Sequence, residues 1–211
     1  MIVPATLQYF EFGPEKLQVF VPDSVVVKEQ YQHLKKANPS IAFPYWSQVW
    51  PAAPGLCRFL VDHTHYIQDK KVLELAAGLG LPSLLAARYA REVSASDHIP
   101  EAVELMKRSA DHNGALNMQC SLLNWDHLPE SISSDVLLLS DINYDPAVFD
   151  NVYSLVQRFL NNGTTIILST PQRLMAKPFI DRLLPYCKKR DELLVENSGQ
   201  QTIVSVLVLK F

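Results

Sequence analysis

The spacing of apolar and polar residues changes along the chain and divides it into segments of different type. Two runs rich in apolar residues, LQYFEF and LQVFVP, flank a turn at residues 13–16 that contains Gly and Pro, which predicts a β-hairpin. A polar stretch from Lys28 to Ala37 predicts a helix. From Lys71 onward, short apolar runs alternate with helical patterns, until two longer runs flank Gly199 as an antiparallel pair.

Alternating strands and helices predict a parallel sheet with helices on both of its faces. The predicted fold class is therefore α/β, with a mainly parallel seven-stranded sheet that ends in a C-terminal antiparallel hairpin, and with a short β-hairpin at the N-terminus. Ligands of such sheets bind at the carboxyl ends of the strands, so we expect the functional residues to follow the strands.

The run VLELAAGLGLP, residues 72–82, is the most informative of these strand ends. An apolar strand carries Glu74, passes through a turn of small residues from Ala76 to Gly80, and enters a helical pattern at Pro82. Small residues are needed where the backbone passes close to a ligand, because a Cβ atom would collide there. A strand, a glycine turn and a helix in this order predict a cradle for a nucleotide-type cofactor.

Polar residues also follow the next three predicted strands. Asp97 is placed to accept hydrogen bonds from ribose hydroxyls, while Asn124 and Trp125 are placed to read an adenine edge and to cover its face. Each has a simpler explanation as a helix cap, a turn or a packing residue. Their joint occurrence in this order nevertheless favours an adenosine-type cofactor. The exit from the fourth strand is unusually polar and includes Ser140, Asp141 and Tyr144.

NAD is held by a similar cradle, but the turn differs from the NAD fingerprint. That fingerprint has glycines where this chain has Ala76 and Pro82. Glu74 would also place negative charge near a pyrophosphate, and no Lys or Arg lies in the turn to offset it. S-adenosyl-L-methionine (SAM) has no phosphate, and its adenosine and amino-acid ends suit acids and small residues. The predicted cofactor is therefore SAM.

The sequence resembles family 16 of the Rossmann-type SAM-dependent methyltransferases, a nicotinamide-N-methyltransferase-like family that holds many protein-lysine methyltransferases. The resemblance extends from Pro44 to the C-terminus. Its discriminating elements are Asp141-x-x-Tyr144 and the segment PYWSQVWPAAPGLCRFL, which is similar to a Trp-Pro helix of the branch that includes the electron-transfer-flavoprotein β-subunit lysine methyltransferases. It is also carried by VLELAAGLGLP, Asp97 and LLNW ending at Trp125.

The resemblance implies a Rossmann-like methyltransferase domain at residues 41–211, preceded by a hairpin and helix extension at residues 1–40. In this sequence the first glycine usual in the family's turn is Ala76, and the aspartate common before the tryptophan is Asn124, so we expect a lower affinity for adenine. It further implies that Asp141 and Tyr144 are catalytic and face the transferred methyl group and its acceptor. The residues implied to bind the cofactor are Trp50, Glu74, Ala76, Gly78, Gly80, Asp97, Asn124, Trp125 and Ser140.

These observations predict an N-methyltransferase that acts on a lysine side chain of a protein substrate. Asp141 is expected to accept a hydrogen bond from the acceptor ammonium, and Tyr144 to confine the acceptor chain and exclude water. Two alternatives stay open: a methyltransferase for a small-molecule, nicotinamide-like amine, and a non-catalytic cofactor-binding module. The acid and the phenol at these positions argue against the module.

Composition excludes several other functions. The net charge of −3 over 211 residues gives no basic field for nucleic acid or an anionic membrane surface. Three isolated cysteines argue against a disulfide framework and against a metal site, and they favour a reducing compartment. Because neither a signal-peptide pattern nor an apolar run of membrane-spanning length is present, we expect a soluble, cytoplasmic protein without nucleic-acid or membrane partners.

Overall fold

A computed structural model describes residues 4–197 and 199–211. Residues 1–3 of the predicted N-terminal extension and Ser198 of the last predicted turn lie outside the described residues. The described chain forms a seven-stranded sheet in the order β5-β4-β3-β6-β7-β9-β8 and a separate two-stranded sheet, β1-β2. The first five strands of that order are parallel, and β9 and β8 are antiparallel. The predicted fold class is confirmed.

The strands of the large sheet follow the apolar runs of the sequence. Because the central strands are covered on both faces, their residues alternate between two apolar cores: Val72 and Leu138 lie in one, Leu73 and Leu137 in the other. The strand bounds are β3 Lys71–Leu75, β4 Glu92–Asp97, β5 Met118–Leu122, β6 Val136–Ser140, β7 Thr165–Pro171, β8 Cys187–Asn197 and β9 Gln200–Leu209.

The strand order reverses at β3, and this reversal fixes where a ligand can bind. The chain runs outward from β3 through β4 to β5, then returns to the other side of β3 and continues through β6 to β7. The connections on the two sides of β3 therefore diverge above its carboxyl end and leave a crevice there.

The helices follow the helical patterns of the sequence, with one exception after β7. The helix after the glycine turn ends at Ala86, because Asn117 Nδ2 donates to the carbonyls of Ala87 and Ala90 and holds that stretch as a turn. A short helix after β7 was not predicted from the sequence. The bounds are α1 Ser24–Ala37, α2 Ala52–Asp62, α3 Leu81–Ala86, α4 Pro100–His112, α5 Phe149–Asn161 and α6 Lys177–Leu183.

The N-terminal hairpin, β1 Ala5–Phe12 and β2 Glu15–Pro22, packs on α4 and does not join the large sheet. Gln18 N–H donates to Asn113 Oδ1 at 3.1 Å, and Asn113 Nδ2 donates back to the Gln18 carbonyl at 2.6 Å. Leu17 and Val19 are fully buried in the same core as α2 and α3. The predicted division of the chain at residue 40 stays a prediction. None of the helices in the described part of the chain has the length and apolar character needed to cross a membrane.

Candidate active site

A cavity of about 800 Å³ lies at the carboxyl ends of β3, β4, β6 and β7, where the strand order reverses. Nine of the eleven residues predicted for the site line it: Trp50, Ala76, Gly78, Gly80, Asp97, Trp125, Ser140, Asp141 and Tyr144. Glu74 and Asn124 do not line it. The structure thus brings together predicted residues that follow β3, β4, β5 and β6 and one from the loop before α2.

The turn between β3 and α3 presents backbone to the cavity. Gly78 and Gly80 both have positive φ angles, 56° and 72°, which only glycine adopts without strain. A Cβ added at Gly78 would lie 3.5 Å from the Trp46 carbonyl oxygen, and one at Gly80 would lie 2.9 Å from the Met106 side chain. Ala76 has a φ of 51° as well, so the alanine that stands where the family usually has glycine holds a strained conformation.

Asp97 braces this turn from the end of β4. Its carboxylate is 4% exposed, and each oxygen accepts one backbone N–H, from Gly78 at 2.9 Å and from Ile99 at 3.0 Å. A carboxylate oxygen has two lone pairs, so each oxygen can accept a further hydrogen bond from a ligand, although Oδ1 also lies 3.4 Å from His98 Nδ1. This arrangement suits a pair of vicinal hydroxyls, as on a ribose.

Glu74 lies behind the turn, where it holds the start of α3. It is fully buried, and its Oε2 accepts hydrogen bonds from the Ser83 N–H at 2.9 Å and from the Ser83 hydroxyl. Burial raises the pKa of Glu74 to about 8, although the hydrogen bonds from Ser83 oppose the change. The geometry gives Glu74 a structural position and no contact with the cavity.

Asn124 is exposed, and its Oδ1 accepts the Asp126 N–H at 2.9 Å. It thereby caps the short 3₁₀ turn Trp125–His127. This cap orients Trp125, whose half-buried ring does line the cavity. The simpler explanation considered for Asn124, a turn residue, agrees with this position.

The opposite end of the cavity holds Asp141 and Tyr144. Asp141 is 8% exposed and has a φ of 54°, a strained angle for a residue with a side chain. Both of its oxygens accept hydrogen bonds from the guanidinium of Arg173, one of them at 2.9 Å from Nη2. Burial raises the pKa of Tyr144 above its ordinary value of 10, so its hydroxyl stays protonated at neutral pH.

Aromatic rings form a continuous wall between α1 and this end of the cavity. The Tyr45 ring lies 4.6 Å from that of Tyr144 and 5.0 Å from that of Phe43, and Phe43 lies 5.3 Å from Tyr31 on α1. Trp50 packs 5.9 Å from Tyr45 and donates its indole N–H to the Tyr45 carbonyl at 2.7 Å. No described residue of the N-terminal hairpin lines the cavity, whereas α1 does.

Sequence reasoning missed Tyr45 and Arg173 at this site. Tyr45 lies in the aromatic segment PYWSQVW, whose rings were assigned only in part. Arg173 follows β7, the fifth strand of the alternating pattern, so the rule that ligands meet the carboxyl ends of strands would have found it. Trp46, in the same segment, both lines the cavity and packs on the core.

Comparison with known sequences identifies the family. A sequence model described as lysine methyltransferase matches residues 34–184, more than half of the chain. The chain belongs to this family. The predicted family, enzyme class and methyl donor are thereby confirmed: this is a SAM-dependent methyltransferase.

Individual relatives agree with the family assignment. Human histone-arginine methyltransferase METTL23 is 29% identical over 143 residues, which are 64% of this chain and 75% of that protein. The Danio rerio electron transfer flavoprotein beta subunit lysine methyltransferase is 32% identical over 133 residues, 62% of this chain and 51% of that protein. The chain thus spans about half the length of the second relative.

A solved structure shows the same fold. SMU.776, a methyltransferase candidate crystallised with SAH, superposes with a TM-score of 0.62 over 97% of this chain and 56% of that chain, at 13% identity. At this identity the likeness concerns the fold alone.

Proposed function

We propose that this protein transfers a methyl group from SAM to the nitrogen of a lysine side chain in a protein substrate. The observation that carries the proposal is one cavity with two chemically different ends. A backbone cradle braced by Asp97 lies at one end, and a carboxylate with an aromatic wall, Asp141 beside Tyr144 and Tyr45, lies at the other.

The residues of the cradle fit SAM. Glycine at positions 78 and 80 lets the turn adopt positive φ angles without strain and present its backbone to the cavity, and the remaining lone pairs of Asp97 match the ribose hydroxyls. Trp125 supplies a ring for the adenine face, and Trp50 and Ser140 line the same space. When bound, SAM supplies an electrophilic methyl group, whose carbon bonds to the acceptor nitrogen as its bond to sulfur breaks and the electron pair stays on sulfur.

The acceptor end must handle an amine that is charged in solution. Deprotonating a lysine with an ordinary pKa of about 10.4 costs roughly 4–5 kcal/mol at pH 7. Asp141 orients the acceptor nitrogen by accepting its N–H, while the rings of Tyr144 and Tyr45 confine the aliphatic chain and exclude water. Alignment of nitrogen and methyl group supplies much of the rate, because direct displacement depends on geometry.

Two observations favour a protein acceptor over a small molecule. Both relatives named above are described by their protein substrates, a histone and a flavoprotein subunit. Exposed apolar side chains also surround the acceptor end: Leu34 and Phe43 on one side, and Leu174 and Met175 directly after Arg173 on the other. These side chains suit contact with a protein segment on either side of the acceptor lysine.

Labelling with tritiated SAM tests the proposal. Purified protein is incubated with cell extract, and separately with recombinant electron transfer flavoprotein beta subunit and core histones. We expect label on a protein band, at lysine by acid hydrolysis, and none with a variant that lacks the cradle carboxylate, Asp97→Ala. Label confined to small metabolites would support the small-amine alternative. Tight SAM binding without label in any fraction would support the non-catalytic module.

Location in the cytoplasm is part of the same proposal. Cys57, Cys120 and Cys187 are all free, which suits a reducing compartment. Fractionation of cells that express the tagged chain tests this, and recovery with a membrane or secreted fraction would contradict it.

A further inference from the structure

The acceptor end of the cavity contains a charge arrangement that the family motif does not explain. Asp141 is the carboxylate expected to meet a cationic acceptor, yet both of its oxygens already bind the Arg173 guanidinium. Among the described residues that line the cavity, Arg173 is the only Lys or Arg. The acceptor site thus holds a buried carboxylate whose charge is compensated before any substrate arrives.

Backbone contacts fix both partners of this pair. Asp141 N–H donates to the Ser169 carbonyl on β7 at 2.9 Å, which holds the strained turn after β6. Arg173 N–H donates to the Pro171 carbonyl at 2.9 Å, and the Ala176 N–H donates to the Arg173 carbonyl at 3.0 Å. A strained residue persists only where its surroundings over-determine it, so the pair is a fixed part of the site.

The geometry leaves room for an acceptor nitrogen on Asp141. A carboxylate has about four lone-pair sites, and the bidentate guanidinium uses two of them. An acceptor N–H that takes a remaining site lies beside a permanent positive charge, because the hydrogen bonds to Asp141 raise the pKa of Arg173 above its already high value. The Arg173 guanidinium, bound to the same carboxylate, disfavours the ammonium form of the acceptor relative to the neutral amine, because both groups are positively charged.

We propose that Arg173 is a specificity-determining residue, which makes the acceptor end select the uncharged form of a primary amine by neutralising Asp141. The inference rests on the proposed amine acceptor and deepens it. The proton leaves the acceptor ammonium to bulk water before the nitrogen binds, and the neutral nitrogen enters with its lone pair free for the methyl carbon. A site with Asp141 alone would instead bind the ammonium tightly and hold it in the unreactive form.

Other ionisable groups lie in or near this space and are common to the wild type and the variants below. Glu74 does not line the cavity but lies behind the turn, where burial raises its pKa to about 8. Tyr144 stays protonated between pH 7.5 and pH 9.5, the range of the test below, because burial raises its pKa above 10. The remaining ionisable groups that line the cavity are Tyr31, Tyr45, Asp97, His98, Glu101 and Asp145.

The test measures binding of n-butylamine, a mimic of the lysine side chain, to the SAH-bound protein by ligand-observed NMR from pH 7.5 to pH 9.5. For the wild type we expect the affinity to rise about tenfold per pH unit, in step with the neutral fraction of the amine. In Arg173→Gln the ammonium pairs with the freed Asp141. That variant is expected to bind at least about tenfold more tightly than the wild type at pH 7.5 and to lose most of the pH dependence.

Two further variants keep the test falsifiable. Arg173→Lys retains the positive charge without the bidentate contact, so its butylamine binding should depend on pH as in the wild type. This variant tests the role of the charge independently of whether Arg173→Gln folds. Arg182→Gln removes an arginine from a similar pair with Asp150 on the surface, 2.7 Å apart, and should also follow the wild type.

Three results would overturn the inference: wild-type binding that does not change with pH, an Arg173→Gln profile that matches the wild type, or no butylamine binding at any pH. Failure of this inference is distinguishable from failure of the proposed function. Selective binding of neutral butylamine without label on any protein would retain the role of Arg173 and reject the protein substrate. Label on a protein lysine together with pH-independent butylamine binding would retain the protein substrate and reject the role of Arg173.

Discussion

The two ends of the cavity are built in different ways. The cofactor end comes largely from one continuous segment, residues 76–80, and presents backbone, with a single carboxylate, Asp97, bracing it. The acceptor end assembles side chains from three separate loops: Tyr45 before α2, Asp141 and Tyr144 after β6, and Arg173 after β7. One end is thus formed by local backbone geometry, and the other by a tertiary arrangement of charges and rings.

The largest effect is expected at the acceptor end. In the proposed function Asp141 orients the acceptor nitrogen, so Asp141→Asn, which removes the carboxylate charge and weakens the pair with Arg173, should lower methyl transfer about 1000-fold. Because the cradle is separate, the affinity for SAM measured by calorimetry should change less than about twofold.

Asp150→Asn is the matched control, since Asp150 is an exposed aspartate also paired with an arginine. It should keep full activity. An Asp141→Asn enzyme with wild-type turnover, or one that no longer binds SAM, would contradict the separation of the two ends.

A second prediction concerns the buried acid behind the cradle. The pKa of Glu74 is raised by burial from its ordinary 4.5 to about 8, so the folded state holds a proton that the unfolded chain releases. Its contribution to stability is fully present below pH 4.5 and is lost as the pH rises through 8. Glu74→Gln, which stays neutral, should therefore gain stability relative to the wild type as the pH rises, by under about 1 kcal/mol at pH 5 and roughly 5 kcal/mol at pH 9.

Urea unfolding at the two pH values measures this difference. Glu104→Gln, on the exposed face of α4, serves as the control and should parallel the wild type. Equal pH dependence in Glu74→Gln and the wild type would show that Glu74 is ionised in the folded protein.

The third prediction tests whether the cradle depends on its glycines. Gly80→Ala forces a φ of 72° on a residue with a Cβ and places that Cβ 2.9 Å from Met106, so it should cost about 2 kcal/mol of stability and weaken SAM binding about tenfold. Gly114 has a similar φ of 65° but open space around it. Gly114→Ala should cost only about 1 kcal/mol and leave SAM binding intact. Equal losses in both variants would mean that strain alone, and not the close approach, matters at Gly80.

The smallest effect is expected at Asn124. Its Oδ1 caps the turn that carries Trp125, so Asn124→Ala should lose about 0.5–1 kcal/mol of stability and change SAM affinity less than about twofold. Trp125→Leu should weaken SAM binding about tenfold, because a ring that covers a base is lost. A tenfold loss in Asn124→Ala would instead place its amide on the adenine.

Most of the cofactor end was predictable because its information is local. A strand, a glycine turn and a helix follow one another within eleven residues, and this order fixes the direction of the backbone. Asp97 ends the next strand, β4, which pairs in parallel with β3 and therefore ends beside the turn. Glu74 was assigned to the cofactor because it precedes the turn. Its side chain instead faces α3, since alternate residues of a strand point to opposite faces, and this face is covered.

The acceptor end was predictable only in part. Asp141 and Tyr144 were found because they share one short motif. Arg173 was not, since its role depends on β7 lying beside β6, which places residues 32 positions apart in contact. Tyr45 likewise meets Tyr144 across 99 positions of sequence, a contact that the pattern of apolar residues does not encode.

The sequence by itself determined the α/β class, the methyl donor and the edge of the sheet where chemistry occurs, because strand periodicity and a glycine turn act over a few residues. Only the tertiary structure decided which side chain pairs with Asp141. Arg173 takes that place because the fold pairs β6 with β7, which brings the loops after both strands together.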